Sequence, residues 1–353
     1  MKSFHLAGNF TGGSSGLVFP AKITQGEGAI NNIQTGPCGA PLLFSGAYAS
    51  KKFGDAVRSA IPGIKTVIFS GEVWPGELHR VRSLAAETGA DCMIALGGGK
   101  VMDLAKLVKK DIPSMRLINI PTSAATCASM TPVAVMYGQD GGYTDTIDTP
   151  VADEVIIDDG IFYCLPMSFF AAGAMDALAK YYETAAARAG GFAAGNFDDA
   201  VFALALSCRE RLIKTITGKW DAQDRGLKKE LVELNIILSG LISCLGKNTI
   251  TGLIAHAAAH AMTHLIAAKR FLHGEHVSLG LVMQESVLGN KGSLEEILEF
   301  ARIMDTPTAF SGIGVDAGGL KRFFDAYTTI DSREKISVYA PAKLMYNDLE
   351  KFL

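Results

Sequence analysis

The sequence predicts a parallel α/β domain followed by an all-helical domain. Three observations lead to this fold class: the length of the chain, the alternation of strands and helices in its first half, and the end of that alternation after Pro166. A chain of 353 residues is long for one hydrophobic core, so two domains are expected. We assign residues 1–162 to the first domain and residues 163–353 to the second.

The first half alternates short apolar runs with helical patterns. The runs that are rich in β-branched residues, and so predict strands, are residues 17–23, 41–45, 66–71, 92–99, 117–122, 132–137 and 154–159. Between them, residues 50–60 and 76–90 carry apolar side chains at helical spacing. Strands separated by crossover helices pair in parallel, with helices on both faces of the sheet.

Ala-rich segments with helical spacing fill the second half. They are residues 169–189, 200–216, 228–245, 253–269, 278–289 and 294–304. Gly and polar residues separate them. A helical domain that comes after an α/β domain indicates a binding site in the cleft between the two.

The composition is that of an ordinary globular protein, with 48% hydrophobic and 20% charged residues and a net charge of −3. This balance gives no general attraction to nucleic acid or acidic membranes. The six cysteines form no CxxC pair, and neither a signal peptide nor a membrane helix is evident. We therefore expect a cytoplasmic enzyme with no nucleic-acid or membrane partner. We also expect a homo-oligomer that acts on a small-molecule substrate.

A glycine-rich turn leads from an apolar strand directly into a helix. Gly97, Gly98 and Gly99 allow backbone N–H groups to approach a phosphate, and the helix N-terminus adds partial positive charge. The pattern is neither GxGxxG nor a P-loop. Spacing alone therefore also allows a tight turn without a ligand.

Five of the seven histidines lie between residues 256 and 276. His256, His260 and His264 succeed each other at four-residue intervals, which predicts one helix face, and His273 comes later in the sequence HGEH. Imidazoles are common ligands for zinc and iron(II). The alternative is a set of half-buried or surface histidines on an amphipathic helix.

Asp176 lies in an otherwise apolar helical segment. An unpaired carboxylate there would be costly, so it requires a partner or a metal. Lys180, one turn later, offers the simpler answer of an i,i+4 ion pair. The residue types leave both possibilities open.

In order along the chain, these segments resemble the glycerol dehydrogenase branch of the iron-containing alcohol dehydrogenases. The motifs that carry the resemblance are FSGE at 69–72, GGGK-x-x-D at 97–103, the loop from Pro121 to Tyr137, GAMDALAKYYE at 173–183 and HxxxH…HGExV ending at Val277. The resemblance implies a dehydroquinate synthase-like fold, with an N-terminal nucleotide-binding domain and a C-terminal helical domain.

The resemblance further implies that one aspartate and two histidines hold a divalent metal, zinc or iron. Asp176 matches the aspartate and His273 the second histidine. We prefer His256 as the first histidine because it stands seventeen residues before His273, which needs no gap. His260 is the alternative ligand; otherwise it faces the nicotinamide and the substrate as a catalytic proton relay.

The resemblance implies NADP or NAD as cofactor. The residues expected to bind it are Gly97, Gly98, Gly99, Lys100, Asp103, Thr122, Ser123, Thr131 and Tyr137. In sheets of this kind an acid at a strand end often holds the ribose 2′-hydroxyl. None is present after the strand at 41–45, so we expect NADP to be preferred, with Ser50 or Lys51 near its 2′-phosphate.

Two departures from the family pattern concern the substrate. Cys127 stands where glycerol dehydrogenases carry an aspartate associated with the polyol hydroxyls, and Lys180 stands where many relatives have histidine or threonine. Loss of an anion and gain of an ammonium favour an anionic substrate. We therefore expect Lys180 to be a catalytic-site residue that holds a small 2-oxo acid, as in a hydroxycarboxylate dehydrogenase subgroup. A packing role for Cys127 and an ion pair for Lys180 are the alternatives.

The expected reaction is reversible hydride transfer between NAD(P) and a secondary alcohol/carbonyl pair, with the metal as Lewis acid. Three alternatives remain: a glycerol or other polyol dehydrogenase, a lyase similar to dehydroquinate synthase, and a binding protein that kept the fold. The lyase branch carries glutamate at the position of Asp176, which disfavours it.

Overall fold

The computed structural model describes residues 19–192, 196–218, 220–246, 252–334, 336 and 343–353. The predicted strand at 17–23 therefore begins outside the described residues. Two compact units are present: one contains the described residues up to Asp140 together with Thr144–Leu165, and the other contains Gly141–Tyr143 together with the described residues from Pro166 onwards. Within these ranges, no helix is both long enough and apolar enough to cross a membrane.

A parallel sheet forms the centre of the first unit. The strands, in chain order, are β1 (Lys22–Gly26), β2 (Pro41–Ser45), β3 (Lys65–Ile68), β4 (Cys92–Gly97), β5 (Arg116–Pro121), β6 (Val133–Tyr137), β7 (Tyr143–Asp148) and β8 (Glu154–Asp158). Six of them form the sheet, in the order β1-β8-β5-β4-β2-β3, and every pairing is parallel. The prediction of a parallel α/β unit is confirmed.

Helices of the first unit connect or succeed the strands. They are α1 (Ala47–Ala60), α2 (Pro75–Glu87), α3 (Gly99–Asp111) and α4 (Asp159–Tyr163). Strand β3 lies on one side of β2, and the next strand, β4, lies on its other side. The direction in which strands are added to the sheet therefore reverses at the boundary between β2 and β4. The carboxyl ends of strands at such a reversal form the crevice in which α/β sheets bind ligands.

Strands β6 and β7 pair with each other in a separate two-stranded sheet. The sequence predicts β6 but not β7. In β7 the segment YTDTID is mostly polar and half exposed, so it lacks the apolar alternation by which strands are recognised.

The second unit is mostly helical, as predicted. Its helices are α5 (Met167–Ala189), α6 (Asn196–Gly218), α7 (Arg225–Val232), α8 (Ser239–Gly246), α9 (Ile254–Met262), α10 (His273–Leu288), α11 (Lys291–Met304), α12 (Ala317–Glu334) and α13 (Tyr346–Leu349). A π-helical turn at Glu233–Leu238 joins α7 to α8.

The histidine-rich segment differs from the predicted helix over 253–269. Helix α9 ends at Met262, so His264 lies beyond it and does not extend the row of His256 and His260. The Thr263 hydroxyl donates to the carbonyl of His260 (2.6 Å) and accepts the amide N–H of Tyr143 (2.8 Å). Helix α9 thus ends where Thr263 contacts Tyr143, and no local sequence signal reveals this long-range contact.

Helices α5, α9 and α10 approach each other at backbone distance. A Cβ added at Gly274 would lie 1.7 Å from the carbonyl oxygen of Ala172 on α5. A Cβ added at Gly280 would lie 2.3 Å from the carbonyl oxygen of Ala255 on α9. Only glycine fits at either position, and both contacts set the spacing of the three helices.

Gly274→Ala is expected to lower the free energy of unfolding by about 1–3 kcal/mol, because the new methyl group overlaps backbone that cannot rotate away. Gly292→Ala is the matched control: it lies in the exposed first turn of α11, with no atom within 4 Å of an added Cβ. Its effect is expected to be neutral, or stabilising by about 0.4–1 kcal/mol. Denaturant titrations monitored by circular dichroism compare the two variants, and equal stabilities would contradict the close-packing argument.

Candidate metal centre and cofactor turn

Three side chains with metal-binding atoms converge in the helical unit. Asp176 lies in the middle of α5, His256 lies in α9, and His273 is the first residue of α10. Their donor atoms all lie within 4.8 Å of one another. The Nε2 atoms of His256 and His273 lie 3.0 and 3.8 Å from the same oxygen, Oδ1 of Asp176. These are the three residues that the sequence predicts as ligands.

The donor set fits a divalent ion. One carboxylate and two imidazoles suit zinc or iron(II), and three protein donors leave a coordination position open for a substrate. Donor separations of 3.0 and 3.8 Å agree with two ligands that share one ion through bonds of about 2 Å. Asp176 is only 4% exposed, whereas His256 is 12% and His273 27% exposed, so the carboxylate is buried and His273 is the most accessible of the three ligands.

The surroundings favour the metal-binding forms of Asp176 and His273, whereas the pKa of His256 is raised, because the Glu183 and Asp176 carboxylates outweigh the effect of burial. Burial alone would raise the pKa of Asp176, but the Lys180 ammonium and the His256 imidazole hold it well below its ordinary value. Burial lowers the pKa of His273 to about 4, a shift that the Asp176 carboxylate only partly offsets. At neutral pH the carboxylate is therefore ionised and the His273 imidazole is neutral, as a metal requires.

Lys180 belongs to the same cluster. Its side chain is nearly buried, and Nζ lies 3.1 Å from Nε2 of His256 and 3.7 Å from Oδ1 of Asp176. The ion pair with Asp176 therefore exists, at the long end of the range. The ammonium contacts Nε2 of His256 and Oδ1 of Asp176, two atoms that would also bind a metal ion. Lys180 therefore lies beside the position that a metal would take.

His260 lies one turn after His256 on α9 and outside the group of three donors. Its ring stacks on that of Tyr143, with the centroids 4.0 Å apart, and lies 5.9 Å from the ring of His273. Its Nδ1 is buried and has no hydrogen-bond partner among the described residues. Burial holds the pKa of His260 well below its ordinary value. A neutral imidazole with an unused nitrogen can accept a proton.

Tyr143 is a residue that the sequence does not reveal. Its hydroxyl donates to the carboxylate of Glu334, and the Arg333 guanidinium lies 5.1 Å from its ring centroid. The stack therefore fixes the plane of the His260 ring. The sequence signal at this position is only an aromatic residue after the turn at Gly141–Gly142, which is too common to be informative.

The predicted cofactor turn lies at the carboxyl ends of β4 and β5 in the first unit. Gly97 ends β4, and Gly98 immediately precedes α3. The Thr122 amide donates to the carbonyl of Gly97 (2.8 Å), and an added Cβ at Gly99 would lie 3.0 Å from Oγ1 of Thr126. Ser123 also packs against this turn, because its Cβ lies 3.7 Å from the position of a Cβ at Gly98. The backbone N–H groups at the start of α3 are those that can hold a phosphate.

Four further residues that the sequence predicts as cofactor contacts have partners within the first unit. Nζ of Lys100 lies 2.6 Å from the Glu72 carboxylate and 4.8 Å from the centroid of the Tyr137 ring. These contacts tie the start of α3 to the end of β6. A cofactor contact by Lys100 or Tyr137 stays a prediction.

Asp103 and Thr131 are buried supports of the same region. Asp103 accepts the Val135 amide N–H (3.1 Å) and pairs with Lys106 (3.0 Å). Nζ of Lys106 also lies within 3.4 Å of the Thr131 hydroxyl. The two residues hold β6 and the loop before it against α3, and their contact with a cofactor also stays a prediction.

Comparison with known proteins decides the family. The family model described as iron-containing alcohol dehydrogenase matches residues 20–159. A glycolaldehyde reductase of Halobacterium salinarum is 31% identical over 255 residues, which are 71% of this chain and 70% of that protein. The chain belongs to the iron-containing alcohol dehydrogenase family.

Two further proteins show which members of the family this chain resembles. Hydroxycarboxylate dehydrogenase A of Escherichia coli K12 is 28% identical over 276 residues, which are 72% of each chain. The crystal structure of a probable glycerol dehydrogenase from Sinorhizobium meliloti 1021 superposes with a TM-score of 0.83 and 24% identity, over 95% of this chain and 96% of that one. The predicted membership of the glycerol dehydrogenase-like branch is confirmed.

The prediction of an enzyme is therefore confirmed as well. The chain is a metal-dependent NAD(P) alcohol dehydrogenase of the glycerol dehydrogenase-like branch. Its Asp/His/His group provides the donors for the metal, and its α/β unit has the sheet of a nucleotide-binding domain.

Loss of a residue that hydrogen-bonds to a metal ligand typically lowers metal affinity about ten- to hundredfold. Asp176→Asn removes a charged ligand itself, so its metal affinity is expected to fall by more than that. Activity should fall with it, while circular dichroism stays unchanged. The control is Asp325→Asn, an exposed aspartate of α12 that pairs with Lys321 on the same helix. Metal content by mass spectrometry after dialysis compares them, and a metal-replete, active Asp176→Asn enzyme would refute the ligand assignment.

Proposed function

We propose that this dehydrogenase reduces small 2-oxo acids to 2-hydroxy acids with NADPH, and that Asp176, His256 and His273 hold one zinc or iron(II) ion. The observation that carries the substrate proposal is the nearly buried Lys180 ammonium, 3.1 Å from Nε2 of His256. A cation at this position, next to the metal ligands, is within reach of a substrate group beside the reacting carbonyl.

The charge of the cluster supports an anionic substrate. Asp176 and Glu183 each carry a negative charge, Lys180 carries a positive charge, and all three are buried. With neutral histidines, a divalent ion brings the cluster to a net charge of +1. An uncompensated charge is costly in a buried site, so a monoanion such as a 2-oxo acid complements this cluster better than a neutral polyol does.

Lys180, His260 and Tyr143 have different roles in the proposed reaction. When bound, the metal polarises the substrate carbonyl and the nicotinamide supplies the hydride. Lys180 holds the carboxylate of the substrate through a charge-assisted hydrogen bond. In the direction of oxidation, His260, whose Nδ1 is buried without a partner among the described residues, accepts the hydroxyl proton of the substrate. In the direction of reduction, a proton taken up from water passes through His260 to the carbonyl oxygen. Tyr143 keeps the His260 ring in one orientation through the stack at 4.0 Å.

Two of the relatives are named for neutral substrates, glycolaldehyde and glycerol. Cys127, at the position where glycerol dehydrogenases carry an aspartate, is a buried thiol and so offers polyol hydroxyls no charged acceptor. Hydroxycarboxylate dehydrogenase A shows that the family includes an enzyme named for hydroxy acids. These points favour a 2-oxo acid over glycerol, which remains the second candidate.

Lys180→Met is expected to lower kcat/KM for 2-oxo acids about ten- to hundredfold, the equivalent of about 1.5–3 kcal/mol for a lost charge-assisted contact. Glycolaldehyde, which lacks a carboxylate, is the internal control, and its kcat/KM should change far less. Steady-state kinetics with a series of 2-oxo acids and with glycolaldehyde make the comparison. Equal losses for both classes would assign Lys180 to the fold or the metal site instead.

The cofactor proposal rests on the end of β2. Gly46 lies between this strand and α1, and the sequence from Gly46 to Lys52 contains no acid. Its amide donates to the carbonyl of Leu96 on β4 (3.3 Å), so it lies at the strand reversal where dinucleotides bind. Lys51 is exposed and can contact a 2′-phosphate, whereas Ser50 is buried.

The wild-type enzyme is expected to have a higher kcat/KM with NADPH than with NADH. Gly46→Asp should lower the NADPH/NADH ratio of kcat/KM at least about tenfold, because a carboxylate repels the 2′-phosphate. Gly46 has φ −63° and ψ 146°, and an added Cβ would meet Val101 only at 3.8 Å, so the variant fits as a helix cap. Gly46→Asn is the uncharged control. A ratio that Asp and Asn change equally would reject the charge argument.

A further inference from the structure

Glu183 is a fully buried carboxylate on α5, two helical turns after Asp176 and on the same face. Both of its oxygens are engaged at the start of α9. Oε1 accepts the backbone N–H groups of Leu253 (2.7 Å) and His256 (3.0 Å). Oε2 lies 2.7 Å from Nδ1 of the His256 ring. One side chain therefore contacts both the backbone and the imidazole of a residue in the candidate metal centre.

We propose that Glu183 is the positioning residue of the metal centre, which holds His256 in the tautomer and orientation that present Nε2 to the metal. This inference rests on the proposed role of His256 as a ligand. A carboxylate at 2.7 Å requires a proton on Nδ1, so Nε2 is the nitrogen left to bind. That nitrogen faces Oδ1 of Asp176 at 3.0 Å, which is the direction in which the other donors lie.

The local sequence explains why this carboxylate comes from another helix. The first N–H groups of a helix have no partners within the helix and need an acceptor. The residue before α9 is Leu253, whose side chain cannot accept a hydrogen bond. Glu183 supplies the acceptor, and its negative charge also suits the positive end of the helix dipole. Orientation of the ring and anchoring of the helix thus depend on the same group.

A purely structural role predicts a different result, and the chain contains a matched control for it. Gln284 on α10 also anchors the start of α9, because its Oε1 accepts the Ala255 N–H (3.3 Å). Its amide nitrogen donates to Glu285 on its own helix (3.0 Å) and is thereby directed elsewhere than to the His256 ring. Loss of either side chain should therefore destabilise the start of α9, but only loss of Glu183 should change the metal centre.

The experiment compares the wild type with Glu183→Gln and Gln284→Met. Affinity for zinc is measured by competition with a chromogenic chelator, the visible absorption of the cobalt(II)-substituted protein reports ligand geometry, and thermal unfolding reports stability. Glu183→Gln is expected to bind zinc about ten- to hundredfold more weakly and to shift the cobalt bands, because its amide can donate to Nδ1 and move the ring proton to Nε2. Gln284→Met should lower the melting temperature while zinc affinity and cobalt bands stay as in the wild type.

Different outcomes would contradict the metal centre and the positioning role of Glu183. A wild-type protein that binds no zinc or iron(II) overturns the proposed metal centre itself. A folded Glu183→Gln protein with wild-type zinc affinity and cobalt bands overturns the positioning role and leaves the metal centre standing. If Glu183→Gln does not fold, nitrogen NMR of the histidine-labelled, zinc-loaded wild type decides: His256 must carry its proton on Nδ1, and a proton on Nε2 overturns the inference.

Discussion

The ionised carboxylate of Asp176, enclosed in an apolar helix, is the constraint on which the helical unit depends. A buried charge without partners costs several kcal/mol, so the surrounding elements must bring compensation to it. Helix α5 supplies Lys180 one turn later, while α9 and α10 supply His256 and His273. The convergence of three helices on one oxygen atom is thus an electrostatic requirement as well as a functional arrangement.

The glycines of α10 make that convergence possible. Gly274 lets the start of α10 meet the backbone of α5 immediately after His273, and Gly280 lets its second turn meet the backbone of α9. Side chains at these two positions would separate the helices and move the imidazoles away from Asp176. The close approach of α10 to α5 and α9 is therefore needed both for helix packing and for the metal centre. A change that relaxes the helix contacts is expected to cost metal affinity even where every ligand is intact.

Periodicity in the sequence predicts the regular elements, whereas features that depend on long-range contacts are not predictable from it. Buried β-branched runs indicate the parallel sheet, and the family resemblance, rather than histidine spacing, selects His256 and His273. Spacing alone favours a row that includes His264, which lies past the end of α9, where Thr263 bonds to Tyr143, a residue 120 positions away. Glu183 escapes prediction for the same reason: in the sequence it is an ordinary charged residue of a helix.

The charges along one face of α5 also connect the metal centre to substrate choice. Asp176, Lys180 and Glu183 alternate in sign at successive turns, so each is compensated by its neighbour. Because Glu183 is engaged by α9, its charge offsets part of the positive charge of the metal without occupying a coordination position. Lys180 adds positive charge on the side of the ligands. This balance is the physical basis for proposing a substrate with one negative charge, because a second carboxylate on the substrate would exceed it.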